Sequence, residues 1–196
     1  LSVQTTSSNT TVGFFFGSGS ALLSTTEFNL DTWHHVAVTR SGNTFRLFID
    51  GDQKSTTTSS HSLATGVTAG VNVAAQSYDV SADTRKYTGY MQDLRVYKGV
   101  AKYTSSFEVA STSPDIIRDT PSGVSGGSKL AKITQGSVGF DGVDQYLSIS
   151  DHADWDIGTN AFTIECFVNI DSASTDYSGI FGMHTGSVQF QFRINA

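Results

Sequence analysis

Strict alternation of apolar and polar residues is the feature that most constrains what this chain can fold into. Apolar side chains occupy every second position of residues 162–170, 188–194 and 45–49. A repeat of two residues places successive side chains on opposite faces of a β-strand, whereas a helix needs a repeat of about 3.6. These three segments therefore predict half-buried strands.

Four more segments combine strand-forming residues with Gly, Asn, Asp and Ser clusters that supply turns. They are residues 12–16, 33–40, 89–97 and 145–149. The Asp50-Gly51 pair after the strand at 45–49 predicts a tight hairpin turn. Many short strands joined by turns are typical of an all-β sandwich or jelly roll.

One segment has the composition of a linker. Both prolines, Pro114 and Pro121, lie in residues 113–135, which also contain several Ser and Gly residues and alternate poorly. Such a segment is expected to connect folded units and not to belong to a core. It divides the chain into residues 1–112 and residues 136–196.

Composition and charge exclude two classes of partner. The net charge is −6, from 18 acidic and 12 basic residues, and Lys and Arg do not cluster, so nucleic acid is not expected as a partner. The longest apolar runs are far shorter than the roughly 20 residues that cross a bilayer, so membrane insertion is not expected either. The abundance of Ser, Thr and Gly is typical of extracellular or virion β-proteins.

Three motifs together resemble the laminin-G-like, concanavalin-A-like jelly-roll superfamily. They are FDGVDQYLSI (140–149) followed by FTIECFVNI (162–170), then WHHVAVTRSGNTFRLFIDG (33–51), then GYMQDLRVYKGVAKY (89–103). The resemblance implies a two-sheet antiparallel jelly-roll sandwich. In that superfamily the first motif opens the domain and the other two close it, so the order in this chain is reversed.

The reversed order predicts that residues 136–196 are the N-terminal part of a jelly roll and residues 1–112 its C-terminal part, together about one domain's worth. Three situations stay open: a permuted domain closed within one chain, a one-repeat excerpt from a tandem array, or pairing of each part with another chain into a fibre. A weaker resemblance of GVAKYTSSF and KLAKITQGSVGFDG to repeats of marine bacteriophage structural and fibre proteins implies a place on a virion.

An enzyme of the glucanase type is not expected. A jelly-roll glucanase needs two glutamates and an aspartate on one strand face, so that one carboxylate attacks while another donates a proton. The only glutamates of the chain are Glu27, Glu108 and Glu165, and none has another carboxylate two or five residues away on the same strand face. His34 and His35 are neighbours on a strand and project to opposite faces, so they cannot hold one metal ion.

Calcium is the metal that the resemblance implies. Related domains often bring an Asp-Asp pair to a structural calcium ion near the FDG strand, and the corresponding pair here is Gln92-Asp93. The implied ligands are Asp93, Asp141 and Asp144, since calcium prefers carboxylate and carbonyl oxygens. The alternative is that Asp141 and Asp144 cap a turn.

The segment 76–88 is the predicted exposed loop for ligand recognition. Tyr78 offers a stacking face, and Asp79, Asp83 and Arg85 offer hydrogen bonds to hydroxyl groups. The alternative is a plain solvated loop.

These observations predict a non-enzymatic jelly-roll module for glycan binding or adhesion, located outside the cell or on a virion surface. The alternative is a structural building block that assembles head to tail into a fibre or tandem array by strand complementation. The expected partners are extracellular or cell-surface glycans, or copies of the chain itself. Trp33 and Trp155 are expected to lie in the core and not to stack on sugars.

Overall fold

A computed structural model of the chain gives a two-sheet antiparallel β-sandwich, which confirms the all-β prediction. The described residues are 10–16, 20–23, 29–63, 70–75, 86–109, 136–172, 177–184 and 188–195. The strands in these residues are β1 (Thr11–Phe16), β2 (Ser20–Leu23), β3 (Trp33–Ser41), β4 (Thr44–Ile49), β5 (Asp52–Thr58), β6 (Val71–Val73), β7 (Thr88–Lys98), β8 (Val138–Asp141), β9 (Leu147–Ile149), β10 (Phe162–Ile170), β11 (Tyr177–His184) and β12 (Val188–Asn195). A 3₁₀ turn, Ala153–Trp155, precedes β10.

Both sheets contain strands from both parts of the chain. Sheet A has the order β2-β1-β12-β11-β6-β9, and sheet B has the order β5-β4-β3-β10-β7-β8. The parts 1–112 and 136–196 are therefore hydrogen-bonded to each other within one chain. The predicted linker, 113–135, lies outside the described residues. That the two parts correspond to the end and the beginning of a family domain stays a prediction.

One aromatic cluster fills the space between the sheets. The ring of Phe14 lies 6.4 Å from that of Phe45, 6.0 Å from that of Phe162 and 5.9 Å from that of Phe190, centroid to centroid. These rings come from β1, β4, β10 and β12, and all of them are buried. Because both sheets and both parts of the chain contribute, they share a single core.

All seven predicted strands are present within two residues of the predicted ends, as β1, β3, β4, β7, β9, β10 and β12. Sequence analysis missed β2, β5, β6, β8 and β11. The clearest reason is visible in β5, DQKSTTT, which is the edge strand of sheet B and contains no apolar residue. An alternation of apolar and polar residues cannot reveal a strand that buries no apolar face.

The motif FDGVDQYLSI is not one strand. Its first residues belong to β8 in sheet B and its last residues to β9 in sheet A. Residues 142–146 connect the two sheets, and the Lys86 ammonium group donates a hydrogen bond of 2.6 Å to the carbonyl oxygen of Val143. The motif therefore closes one end of the sandwich.

The hairpin turn predicted at Asp50-Gly51 is confirmed. Both residues have left-handed backbone angles, with φ of 50° and 82°, and β4 and β5 pair from Ile49 and Asp52 onward. Two consecutive positive φ values define the turn type that matches the twist of a hairpin. A Cβ atom on Gly51 would lie 2.0 Å from the carbonyl oxygen of Phe107, so only glycine fits.

The segment after β7 covers half of the outer face of sheet B. We call residues 99–109 the strap. The Lys102 amide donates to Thr163 Oγ1 at 2.8 Å, and Thr39 Oγ1 donates to the carbonyl oxygen of Tyr103 at 2.8 Å. As a result β10 is buried on both faces over most of its length, and the prediction of a half-buried strand was wrong there.

Beneath the strap lies a buried charged cluster. Lys102 Nζ donates to Glu165 Oε1 at 2.7 Å, and His35 Nε2 lies 3.5 Å from Glu165 Oε2. Burial alone would raise the pKa of Glu165, but the hydrogen bonds and charges of His35 and Lys102 outweigh it and lower that pKa to about 2. Burial lowers the pKa of Lys102. We expect the pair to be charged at neutral pH, since each group stabilises the charge of the other.

Unfolding should depend on the charge of Glu165. Its pKa is lowered from 4.5 to about 2, so its stabilising contribution is fully present above about pH 4.5 and is lost as the pH falls towards 2. Glu165→Gln should lower the free energy of unfolding at neutral pH by about 3–5 kcal/mol, because Lys102 stays buried without a counter-charge. Urea titrations at a series of pH values measure both effects. Asp154→Asn, at an exposed carboxylate, is the control, and parallel pH profiles for the wild type and Glu165→Gln would contradict this assignment.

The shared core predicts one cooperative unfolding transition. Phe14→Ala should lower the free energy of unfolding by about 3–5 kcal/mol, because it opens a cavity between the two sheets. Val143→Ala, at an exposed position, should change it by less than about 0.5 kcal/mol. Calorimetry and urea titration monitored by two probes are the measurements. Two separate transitions would mean that the two parts of the chain fold independently.

Candidate functional site

Three residues form a row across the outer face of sheet B. Asn169 of β10 is the register partner of Trp33 in β3 and of Tyr90 in β7. Register partners point to the same face of a sheet. The neighbours of Asn169 in β10, Val168 and Ile170, lie in the core, so the row faces outward. At about 4.8 Å per strand, the Cα atoms of Trp33 and Tyr90 are about 10 Å apart. We call Trp33, Asn169 and Tyr90 the outer platform.

Both aromatic rings of the outer platform are exposed. Trp33 is 37% exposed and Tyr90 is 47% exposed, so the prediction that Trp33 lies in the core was wrong. Trp33 is the first residue of β3 and extends beyond the end of β4, because the pairing of these strands begins only at Val36 and Ile49. The strap packs beside it on His35 and leaves Trp33 partly exposed.

Buried groups hold the outer platform in place. The hydroxyl of Tyr87 donates to the carbonyl oxygen of Asn169 at 2.8 Å. The same hydroxyl lies 3.1 Å from the carbonyl oxygen of Tyr90. Gly89 has a φ of 136°, and a Cβ atom there would lie 2.1 Å from the carbonyl oxygen of Asn169, so glycine lets β7 approach β10. The Tyr90 ring rests on Gly139, where an added Cβ would lie 3.1 Å from Cε1. The backbone of Asn169 and Tyr90 is therefore held from the core side.

Carboxylates surround one end of the outer platform. The Asp31 amide donates to the carbonyl oxygen of Ile170 at 2.8 Å, and the Asp171 amide donates to that of Thr88 at 3.3 Å. Both aspartates are exposed. Asp31 precedes Trp33 by two positions, and Asp171 follows Asn169 by two positions. Their charges give this end of sheet B an acidic rim.

Sequence analysis missed Asn169 and Tyr90 as site residues. Each lies near the end of a strand that was predicted correctly, on its polar side. The missing information is that β10 lies between β3 and β7, because only this strand order brings the three residues into one row.

The two adjacent histidines have separate roles, as predicted. His34 Nδ1 lies 2.6 Å from Asp50 Oδ2 at the end of the hairpin. The His35 ring points to the other face and lies in the buried cluster with Glu165. Neither arrangement brings the two rings to one ion.

The three predicted calcium ligands do not converge. Asp141 pairs with Thr88, whereas Asp93 lies five residues further along β7, a separation of about 16 Å. The Asp93 side chain is nearly buried, and its Oδ2 lies 3.7 Å from Nη2 of Arg95. Asp93 therefore cannot share one ion with Asp141 and Asp144.

Asp141 instead caps the turn that follows it. Its Oδ1 accepts from the amides of Val143, Asp144 and Gln145 at 2.9, 3.2 and 3.3 Å. These hydrogen bonds lower the pKa of Asp141, and the one from the Val143 amide has the largest effect. Three N–H donors converging on one oxygen fit a capping carboxylate and do not fit a calcium ligand at that oxygen. Calcium binding by the remaining oxygens of Asp141 and Asp144 stays a prediction.

Among the residues that the structure describes, no three His, Cys, Asp or Glu side chains are grouped so that they could hold a metal ion. The predicted recognition residues Tyr78, Asp79, Asp83 and Arg85 lie outside the described residues, so their role stays a prediction.

A cleft of about 400 Å³ opens between the two sheets. It is lined by Leu94, Val96, Lys98, Ile149, Asp154, Trp155 and Phe181. The Trp155 ring lies 6.3 Å from that of Phe181 and packs against the core, as predicted. Five of these seven residues are apolar. Of the two polar ones, Lys98 donates to the carbonyl oxygen of Ala153 at 2.7 Å.

The fold is thus a two-sheet jelly-roll sandwich that carries an exposed row of two aromatic rings and an amide. A laminin G-type family model, described as the concanavalin A-like lectin/glucanases superfamily, matches residues 2–103, and the chain belongs to this superfamily. Neither the curated proteins nor the solved structures that were searched gave a match.

Membership in this superfamily supports a carbohydrate-binding or adhesion-type module, and laminin G-like domains are typically non-catalytic and often extracellular. The described strands and turns include no helix that is long and apolar enough to cross a bilayer.

Removal of the capping carboxylate should destabilise the β8–β9 turn. Asp141→Ala should lower the midpoint temperature of unfolding, because the amides of Val143, Asp144 and Gln145 lose a charged acceptor. The decrease should be the same with added calcium and with a chelator. Thermal unfolding under both conditions, with Asp144→Ala alongside, measures this. A stabilisation by calcium that both variants abolish would show that these aspartates bind the ion.

Proposed function

We propose that this chain is a non-enzymatic glycan-binding module that mediates adhesion outside the cell or on a virion surface. The observation that carries the proposal is the outer platform, in which Trp33 and Tyr90 expose their rings on either side of Asn169. The membership of the chain in the concanavalin A-like superfamily supports the same class of ligand.

The chemistry of the outer platform suits a sugar. Aromatic rings pack against the apolar C–H faces of pyranose rings, while an amide both donates to and accepts from hydroxyl groups. Tyr87, Gly89 and Gly139 hold the backbone beneath the rings. A site that is already formed loses little conformational entropy on binding, which favours affinity.

The placement of the glutamates supports a binding module over a hydrolase. Glu165 is buried beneath the strap and paired with Lys102, so a substrate cannot reach it. Glu108 is exposed on the strap, and Glu27 lies outside the described residues. A pair of accessible carboxylates flanking a glycosidic bond would be needed for hydrolysis.

One observation favours the alternative function, a structural building block of a fibre or tandem array. Val138, Leu147 and Ile149 are 51%, 49% and 42% exposed, and they lie on the edge strands β8 and β9. Exposed apolar side chains on sheet edges favour association between molecules. Light scattering and electron microscopy of the purified chain test this function, and a monomer at high concentration would rule it out.

Glycan binding should depend on the two exposed rings. A glycan array identifies ligands of the wild type, and calorimetry then measures their affinity. Trp33→Ala and Tyr90→Ala should each weaken binding about tenfold or more, since each removes one stacking surface. Tyr146→Ala, at a partly exposed aromatic residue of the connection between β8 and β9, is the matched control and should bind normally.

All variants should keep the circular dichroism spectrum of the wild type. The proposal is wrong if the wild type binds no glycan, or if the double variant Trp33→Ala/Tyr90→Ala binds as tightly as the wild type.

A further inference from the structure

The spacing of the outer platform constrains the length of its ligand. Trp33 and Tyr90 are about 10 Å apart at their Cα atoms, with Asn169 midway. A single pyranose ring is too short to contact both aromatic rings. In an extended glycan, two sugar rings separated by a third lie at a comparable distance, which places the middle ring over the Asn169 amide.

The strap constrains the direction of the ligand. Beside the row, the Phe167 ring packs against His35 at 5.0 Å, and the strap residues Tyr103 and Phe107 cover His35. The strap therefore blocks a ligand that would run along the strands. The open direction crosses β3, β10 and β7, along the row itself.

The charges around the row constrain the chemistry of the ligand. Asp31 and Asp171 are exposed at the end of the outer platform, and the Asp50 side chain is half exposed at the hairpin beside β3. The strands of sheet B carry five cationic residues: Arg40, Arg46, Lys54, Arg95 and Lys98. Lys54 lies beside the carboxylate of Asp52 and Arg95 beside that of Asp93, while Arg40 and Lys98 donate to backbone carbonyl oxygens.

The chain as a whole carries a net charge of −6. A sulfated or carboxylated glycan would meet like charge at this surface, whereas hydroxyl and ammonium groups could donate to the aspartate oxygens.

We infer that the outer platform selects extended glycans of at least three sugar residues that are neutral or carry amino groups, and that it rejects acidic glycans. This inference rests on the glycan-binding function proposed above. Trp33 and Tyr90 contact the outer two sugars, and Asn169 hydrogen-bonds the middle one. Asp31 and Asp171 accept hydrogen bonds from hydroxyl or ammonium groups of the glycan.

The experiment uses the full chain with three sets of linear oligosaccharides of two, three and four units. The sets are chitosan oligomers, their N-acetylated forms and heparin-derived oligomers, and a glycan array covers other neutral, amino and acidic glycans. The trimer should bind about tenfold more tightly than the dimer, with little further gain for the tetramer. At low ionic strength the amino form should bind more tightly than the N-acetylated form, and added salt should remove that difference.

The variant Asp31→Asn/Asp171→Asn separates charge from stacking. Asn tolerates the left-handed backbone of Asp31, whose φ is 56°. This variant should lose the preference for amino sugars and should weaken the binding of neutral trimers much less, because the Asn amide oxygen still accepts from a hydroxyl group. Acidic glycans that bind the wild type as tightly as neutral ones, or dimers that bind as tightly as trimers, would overturn the inference while the proposed function stands. An array that is blank for all glycans would remove the proposed function itself.

Discussion

The pairing of β10 with β3 on one side and β7 on the other is the interaction on which the rest of this structure depends. β10 comes from the last part of the chain, and both of its neighbours come from the first. Its apolar side supplies Phe162, Ile164 and Val168 to the core. Its other side brings Asn169 between Trp33 and Tyr90. Closure of the sandwich and formation of the outer platform are therefore one event, and a chain that lost this pairing would lose both.

The strap divides the outer face of sheet B into a closed and an open half. Over the closed half it buries Glu165, and the desolvation of that carboxylate is offset by Lys102 and His35. A buried ion pair of this kind adds little net stability compared with apolar residues in the same place. It does fix the position of the strap, because a displaced Lys102 would leave Glu165 without its ion-pair partner. The outer platform lies in the open half, at the start of β3 and near the end of β10. The charged cluster contributes to the site by fixing its boundary.

The sequence allowed much of the fold to be predicted and little of the site, for a physical reason. Alternation reports which side of a strand is apolar, and it located β3, β7 and β10 within one residue of their ends. It does not report what covers the polar side, so the burial of Glu165 beneath residues 99–109 could not be seen. Trp33 was assigned to the core because large aromatic residues are usually buried, but β4 ends before it can cover this ring. The sequence likewise could not show that the register of β7 with β8 separates Asp93 from Asp141, and calcium binding by Asp141 and Asp144 stays a prediction.

Adhesion and assembly need not compete on this molecule, because they would use different surfaces. The outer platform lies on the face of sheet B at β3, β10 and β7, whereas the exposed side chains of Val138, Leu147 and Ile149 lie on the edge strands β8 and β9. Tyr90 is the residue closest to both, since its ring rests on Gly139 of β8. A partner that paired with the free edge of β8 would extend sheet B beside this ring without covering Trp33. Association of two copies through that edge would therefore place two outer platforms side by side, and weak binding at each would combine into stronger attachment.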